Sequence, residues 1–303
     1  MLAPTYLLFP WVVPADMTLS NEWSMTHVSE AGPTGRVFLG GEVEAGLEMW
    51  AEVGEPGTVT YRAPLRCDVL RPDGSLQPSL LSVMADSATA TSVFSALGWS
   101  AIGPTVELRV VHLGPPARAA TRLDAVGSAL TVEGGVGTAR VDLRDDLGNP
   151  VAYAIGIMAI EQADPVAWRN HESLVRGEFR SADLEVAGVG EGTASARVTP
   201  GMTNNHGNIH GGILLALAHD VQDLFLSEID GEYRRLRLDI DYLRPADPGG
   251  PLSFASKHVR SGRRLRTVHT EISDFNGRIV ALAAGTSIAV QADVAISTSM
   301  KSL

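Results

Sequence analysis

The segment Asn204-Asn205-His206-Gly207-Asn208-Ile209-His210-Gly211-Gly212-Ile213-Leu214 runs from polar residues into an apolar stretch across two adjacent glycines. Glycines at a helix entrance let the backbone come close to a ligand, and the N–H groups of a first turn have no partner inside the helix. Such donors suit a carbonyl oxygen that gains charge during a reaction. His206 and His210 have the H-x-x-x-H spacing of a metal pair. Glycines interrupt that segment, no Glu intervenes and no further ligands are evident, so no metal is expected. The sequence contains no G-x-S-x-G, which leaves no serine in a nucleophile elbow. A single cysteine, Cys67, excludes an intrachain disulfide and a multi-thiolate zinc site, and is expected to be a small buried side chain. Arg260, Arg263, Arg264 and Arg266 crowd one stretch, and guanidinium forks match phosphate oxygens.

These residues need elements to position them, and an internal repeat supplies the plan. Gly57-Thr58-Val59-Thr60-Tyr61-Arg62 reads like Gly192-Thr193-Ala194-Ser195-Ala196-Arg197, 135 residues later. The apolar helix candidate Leu80–Asp86 reads like Ile213–His219, 133 residues later, and Asp146–Ala152 like Phe275–Ala281, 129 later. In the second copy Leu236–Leu243 alternates apolar and polar residues, the pattern of a half-buried strand, and Leu252–Val259 and Thr267–Ile272 do the same. Asp274-Phe275-Asn276-Gly277 signals a hairpin turn before a last strand from Ile279 to Val290. The expected class is α+β: each repeat is one helix wrapped by an antiparallel sheet. The boundaries read as an N-terminal arm at 1–30, repeats at 31–165 and 166–292, and a tail at 293–303.

Composition narrows the partners. The 303 residues include 24 basic and 35 acidic side chains, a net charge of −11, which disfavours nucleic acid or an anionic membrane as the main partner. With 45% hydrophobic and 19% charged residues the chain reads as globular. Residues 1–14 are apolar but hold three prolines and no basic lead-in, a poor export signal, and no later run is long enough to span a membrane. The expected compartment is the cytoplasm.

The Asn204-to-Gly212 motif, the strand end Leu243-Arg244-Pro245 and the run Arg260–Leu265 resemble the hotdog-fold acyl-CoA thioesterases of the phenylacetate-pathway type. The likeness is clear over about residues 175–290 and fainter over 35–160, so the tandem resembles a double hotdog. It implies an acyl-CoA substrate, with coenzyme A as part of that substrate and no separate cofactor. In single-hotdog relatives the catalytic carboxylate is an Asp seven residues after the second glycine, acting on substrate held by the partner's glycines.

Here that count from Gly212 reaches His219, and Asp220 is turned about 100° around the helix. The first repeat has Asp86 at the matching position, but Gln77-Pro78-Ser79 stands where the second has His210-Gly211-Gly212, and Arg71 where it has Asn204. A proline has no N–H to donate. One composite site is therefore expected, with Asp86 as general base or nucleophile, the Gly211 N–H polarising the carbonyl, Asn204 orienting substrate or water, and His210 and Gly212 alongside. Arg260, Arg263 and Arg264 are expected to bind the coenzyme A phosphates. The mirror site at His219 should be dead. A His210–Asp86 pair would instead suit an acyl-CoA hydratase or dehydratase, and loss of catalysis would leave an acyl-CoA-binding protein. Two such chains can pair further.

Overall fold

The computed structural model describes residues 35–38, 40–162, 169–170, 179–227 and 232–290. The expected arm at 1–30 and the tail at 293–303 lie outside the described residues. The first half contains β1 (Gly35–Phe38), α1 (Glu42–Gly46), β2 (Trp50–Val53), β3 (Thr58–Pro64), α2 (Pro78–Ala96), β4 (Ala101–Ile102), β5 (Thr105–His112), β6 (Arg122–Glu133), β7 (Val136–Asp145), β8 (Pro150–Ala159) and β9 (Glu161–Gln162). After β10 (Arg169–Asn170) the second half contains β11 (Val186–Gly190), β12 (Thr193–Ala196), α3 (Gly211–Ser227), β13 (Tyr233–Tyr242), β14 (Leu252–Ser261), β15 (Leu265–Ser273) and β16 (Ile279–Ala289).

Fourteen strands form one sheet in the order β10-β1-β2-β3-β6-β7-β8-β5-β13-β16-β15-β14-β12-β11. Outward from its centre, β5, β8, β7, β6 and β3 on one side answer β13, β16, β15, β14 and β12 on the other. The seam is the antiparallel pair β5–β13, where Val110 lies opposite Leu238 and Leu108 opposite Ile240. Those four side chains are buried. The alternation read from Leu236–Leu243 appears as β13, and the turn at Asp274–Gly277 is closed by the Gly277 N–H donating to the Asp274 carbonyl at 2.9 Å.

Strand periodicity puts Val59, Tyr61 and Ala63 of β3 on the inner face, with Ala139, Val141 and Leu143 of β7. Against that face lies α2, buried around almost its whole circumference, so its polar residues must find partners inside. Thr91 and Ser92 do so by donating to the carbonyls of Ser87 and Ala88, each at 2.7 Å. One hydrophobic core runs through both halves, joining Leu80, Val83 and Met84 of α2 to Ile213, Leu215 and Leu217 of α3. Cys67 corrects an expectation: it opens a short 3-10 turn, Cys67–Val69, with its own side chain exposed while Val69 supplies the buried face. No described helix is long and apolar enough to cross a membrane.

Candidate active site

Two loops of matching backbone enter the two central helices. In the first, the N–H of Arg71 donates to Ser75 O at 2.7 Å, that of Gly74 to Arg71 O at 2.9 Å and that of Gln77 to Val69 O at 2.9 Å. In the second, Asn204 donates to Asn208 O at 2.8 Å, Gly207 to Asn204 O at 3.0 Å and His210 to Met202 O at 2.9 Å. Each position in the second set is 133 residues after its counterpart, the offset expected from the helices. The tight turns depend on Gly74 at φ +84° and Gly207 at φ +75°, left-handed values that glycine adopts without strain. The same path therefore delivers Pro78 to the start of α2 and Gly211 to the start of α3.

Asp86, on α2, meets the entrance of α3. Its Oδ2 accepts the Gly212 N–H at 2.9 Å, and its Oδ1 accepts the Thr105 hydroxyl from the start of β5 at 2.7 Å. Asp86 is 7% exposed. The two glycines serve different ends. A Cβ on Gly211 would lie 2.6 Å from Asp86 Oδ2, whereas one on Gly212 would lie 2.6 Å from the Val83 Cα of α2. Gly211 thus makes room for the carboxylate, and Gly212 for the crossing of the two helices. The Tyr242 hydroxyl donates to the Gly211 carbonyl at 2.8 Å and so fixes that peptide. The Gly212 N–H is committed to Asp86 and to His210 Nδ1 at 3.0 Å, while the Gly211 N–H has no acceptor among the described residues.

His210 is buried with Nδ1 3.4 Å from Asp86 Oδ2. Its Nε2 lies 3.0 Å from Glu44 Oε1 on α1, a residue that the sequence reading did not single out. A five-residue helix has no periodicity to read, and the only available signal was an acidic residue in an apolar surrounding, Val43-Glu44-Ala45. Glu44 also accepts from Ser87 Oγ and from the Gly41 N–H, each at 2.8 Å. Burial alone would raise its pKa, but the charge and hydrogen bond of His210, with the Gly41 and Ser87 donors, bring it down to about 2. Burial works against a charged imidazole, yet the Glu44 charge and hydrogen bond, then Asp86, raise the His210 pKa above its ordinary 6.5.

Asp86, His210, Gly211 and Gly212 are therefore brought together, and other expected residues are not. The Asn204 side-chain oxygen accepts the N–H groups of His206 at 2.9 Å and Asn208 at 3.2 Å, which builds the loop. Arg260, Arg263 and Arg264 are exposed at the β14–β15 hairpin, the opposite end of those strands from the Ile209–Ala246 contact that anchors the α3 entrance. The repeat partner of that hairpin is the β6–β7 turn around Glu133, which lacks a basic residue.

The mirror position is filled by an ion network. Arg71 donates to Asp220 at 2.8 Å and to Asp223 at 3.1 Å, and Arg235 to Asp223 at 2.9 Å and Gln222 at 2.7 Å. His219 Nδ1 lies 3.2 Å from Asp223, and its ring centroid is 5.4 Å from that of His112. Burial would raise the Asp223 pKa, but His219, Arg235 and Arg71 hold it far below its ordinary value. His219, Asp220 and Asp223 are the one set of clustered metal-type donors among the described residues. Two guanidiniums already occupy its carboxylates, so a cation would have to displace them.

The family described as the acyl-CoA thioesterase N-terminal domain matches residues 199–290, the stretch holding the Gly211–Gly212 entrance. No curated protein matches the chain. Among solved structures, the tesB protein of Mycobacterium avium subs. paratuberculosis aligns with a TM-score of 0.60 at 12% identity, over 82% of this chain and 98% of that one. An acyl-ACP thioesterase from Bacteroides thetaiotaomicron aligns with a TM-score of 0.53 at 13% identity, over 78% of this chain and 100% of that one. A hot dog fold protein from Alicyclobacillus acidocaldarius gives 0.52 at 10% identity, over 83% and 98%. At these identities the likeness shows the fold, which is the hotdog fold of these neighbours.

Proposed function

We propose that the chain is a tandem double hotdog that hydrolyses an acyl-CoA or related thioester at one composite site. The carrying observation is the reach of Asp86 from α2 to the first turn of α3, where the Gly212 N–H holds its Oδ2 at 2.9 Å. In this reading Asp86 takes a proton from water as the water oxygen attacks the thioester carbon. The carbonyl π electrons move to oxygen, and the Gly211 N–H stabilises the charge they create. When the C–O double bond reforms, the C–S bond breaks and the departing thiolate takes up the proton, giving a carboxylic acid and free coenzyme A. Thr105 keeps the base in register, and Tyr242 fixes the Gly211–Gly212 peptide whose N–H holds that base.

The test is thiol release over short, medium, long and aromatic acyl-CoAs. Wild type is expected to release coenzyme A, and Asp86→Asn to lose at least about 10²-fold in kcat. Equal rates would end this reading. The close approach of His210 Nδ1 to Asp86 at 3.4 Å favours hydration of an enoyl-CoA as the second reading. Loss of enoyl absorbance without thiol release would select it. Calorimetric binding of coenzyme A with turnover of neither substrate class would select an acyl-CoA-binding protein.

A further inference from the structure

The hydrolytic reading leaves one buried acid unused. Glu44 is 5% exposed, and among the described residues its bonds go to three groups: His210 Nε2, the Ser87 hydroxyl and the Gly41 N–H. An ionised carboxylate is kept at such depth only where it is fully paired. Its partner ring faces a second carboxylate, because His210 Nδ1 is 3.0 Å from the Gly212 nitrogen and 3.4 Å from Asp86 Oδ2. One imidazole from the second half thus bridges two acids from the first, Glu44 on α1 and Asp86 on α2.

We infer that Glu44 is a positioning residue for thioester hydrolysis: it holds a proton on His210 Nε2, so that Nδ1 is directed at Asp86 and at the Gly212 N–H. The inference rests on the reading of Asp86 as the base. In the neutral ring the Nδ1 lone pair accepts the Gly212 N–H. In the protonated ring the Nδ1–H points to Asp86 Oδ2, and Glu44 compensates the charge. The proton that Asp86 removes from water thereby has a waiting acceptor 3.4 Å away, from which the departing thiolate regains it. A third group in line with a base and its acceptor fixes the tautomer by the same logic that orients the imidazole of a catalytic triad. Other ionisable groups face this cluster from β3 and β13. Burial pushes the phenols of Tyr61 and Tyr242 well above their ordinary 10.0, so both stay neutral while His210 titrates.

The experiment is nitrogen NMR of the His210 ring on the full chain, beside thiol-release kinetics as a function of pH for wild type, Glu44→Gln and Glu44→Asp. In wild type, neutral His210 is expected to carry its proton on Nε2. A neutral ring protonated on Nδ1 overturns the inference without recourse to any variant. In Glu44→Gln the ring pKa is expected to fall by at least about one unit. The matching limb of the kcat profile should move by the same amount, and kcat should drop at least about 10-fold while KM stays within about twofold. Glu44→Asp should restore part of kcat. An unmoved ring pKa in folded Glu44→Gln, or a moved one with an unmoved kcat profile, overturns the role assigned to Glu44. A wild type that cleaves no thioester overturns the hydrolytic reading and the positioning role together. The ring titration then still shows whether the Glu44–His210 coupling exists.

Discussion

Two neighbouring glycines carry opposite kinds of constraint. Replacing Gly211 by Ala puts a methyl group 2.6 Å from Asp86 Oδ2, the movable end of a side chain. The carboxylate must swing, and turnover should fall about 10²-fold with little change in melting temperature. Replacing Gly212 puts the methyl 2.6 Å from the Cα of Val83, in a helix that cannot yield cheaply. That variant should lose about 1–3 kcal/mol in urea unfolding. Stability should also report on Glu44. Its folded pKa is depressed from 4.5 to about 2, so its contribution is complete above 4.5 and disappears as pH falls toward 2. The His210 pKa is raised, so its contribution is complete below 6.5 and disappears as pH rises through the folded value. The stability difference between wild type and Glu44→Gln should therefore be largest between pH 4.5 and 6.5, measured by urea titration across pH. At this scale the meeting of Asp86 with the α3 entrance followed from the repeat together with the seven-residue spacing that the family resemblance implies. Glu44 was not legible, because its partner is 166 residues away and nothing local announces it.

The elements that hold the site were read from periodicity and from the repeat. The helix candidates Leu80–Asp86 and Ile213–His219 became α2 and α3, and the alternating segments became β13, β14 and β15. Periodicity failed for α1, which is too short to show a face. It also could not foresee that Asn204 would spend its oxygen on its own loop, since an Asx turn and a ligand contact use the same residue. The ion network on α3 was equally hidden. It joins Arg71 of the first half to Asp220 and Asp223 of the second and ties Arg235 into the same group, so it ties the helix to the opposite repeat. Arg235 has a side chain only 4% exposed. Its removal should cost about 3 kcal/mol in urea unfolding by leaving Asp223 under-compensated, while thiol release stays within about twofold of wild type. A similar loss of stability with a collapse in kcat would instead make the network part of the active site.

At the scale of the whole molecule, the continuous sheet and the shared core make the halves one body in which only one of two equivalent positions retains a carboxylate facing a glycine entrance. Titration calorimetry should find one coenzyme A per chain, whereas two would show that the network at Asp223 admits ligand. The tandem order of strands was legible in offsets that drift only from 135 to 129, as loop insertions and deletions produce. The seam at β5–β13 was not, because pairing between copies leaves no trace in either copy alone.

That seam bears on inheritance. In a pair of identical chains related by a twofold axis, an arginine at the loop position of Arg71 would stand in both sites at once, and a proline at Pro78 would remove the donor from both. Joined end to end, the copies are free to mutate separately. One loop can become a strut while the other keeps its glycines.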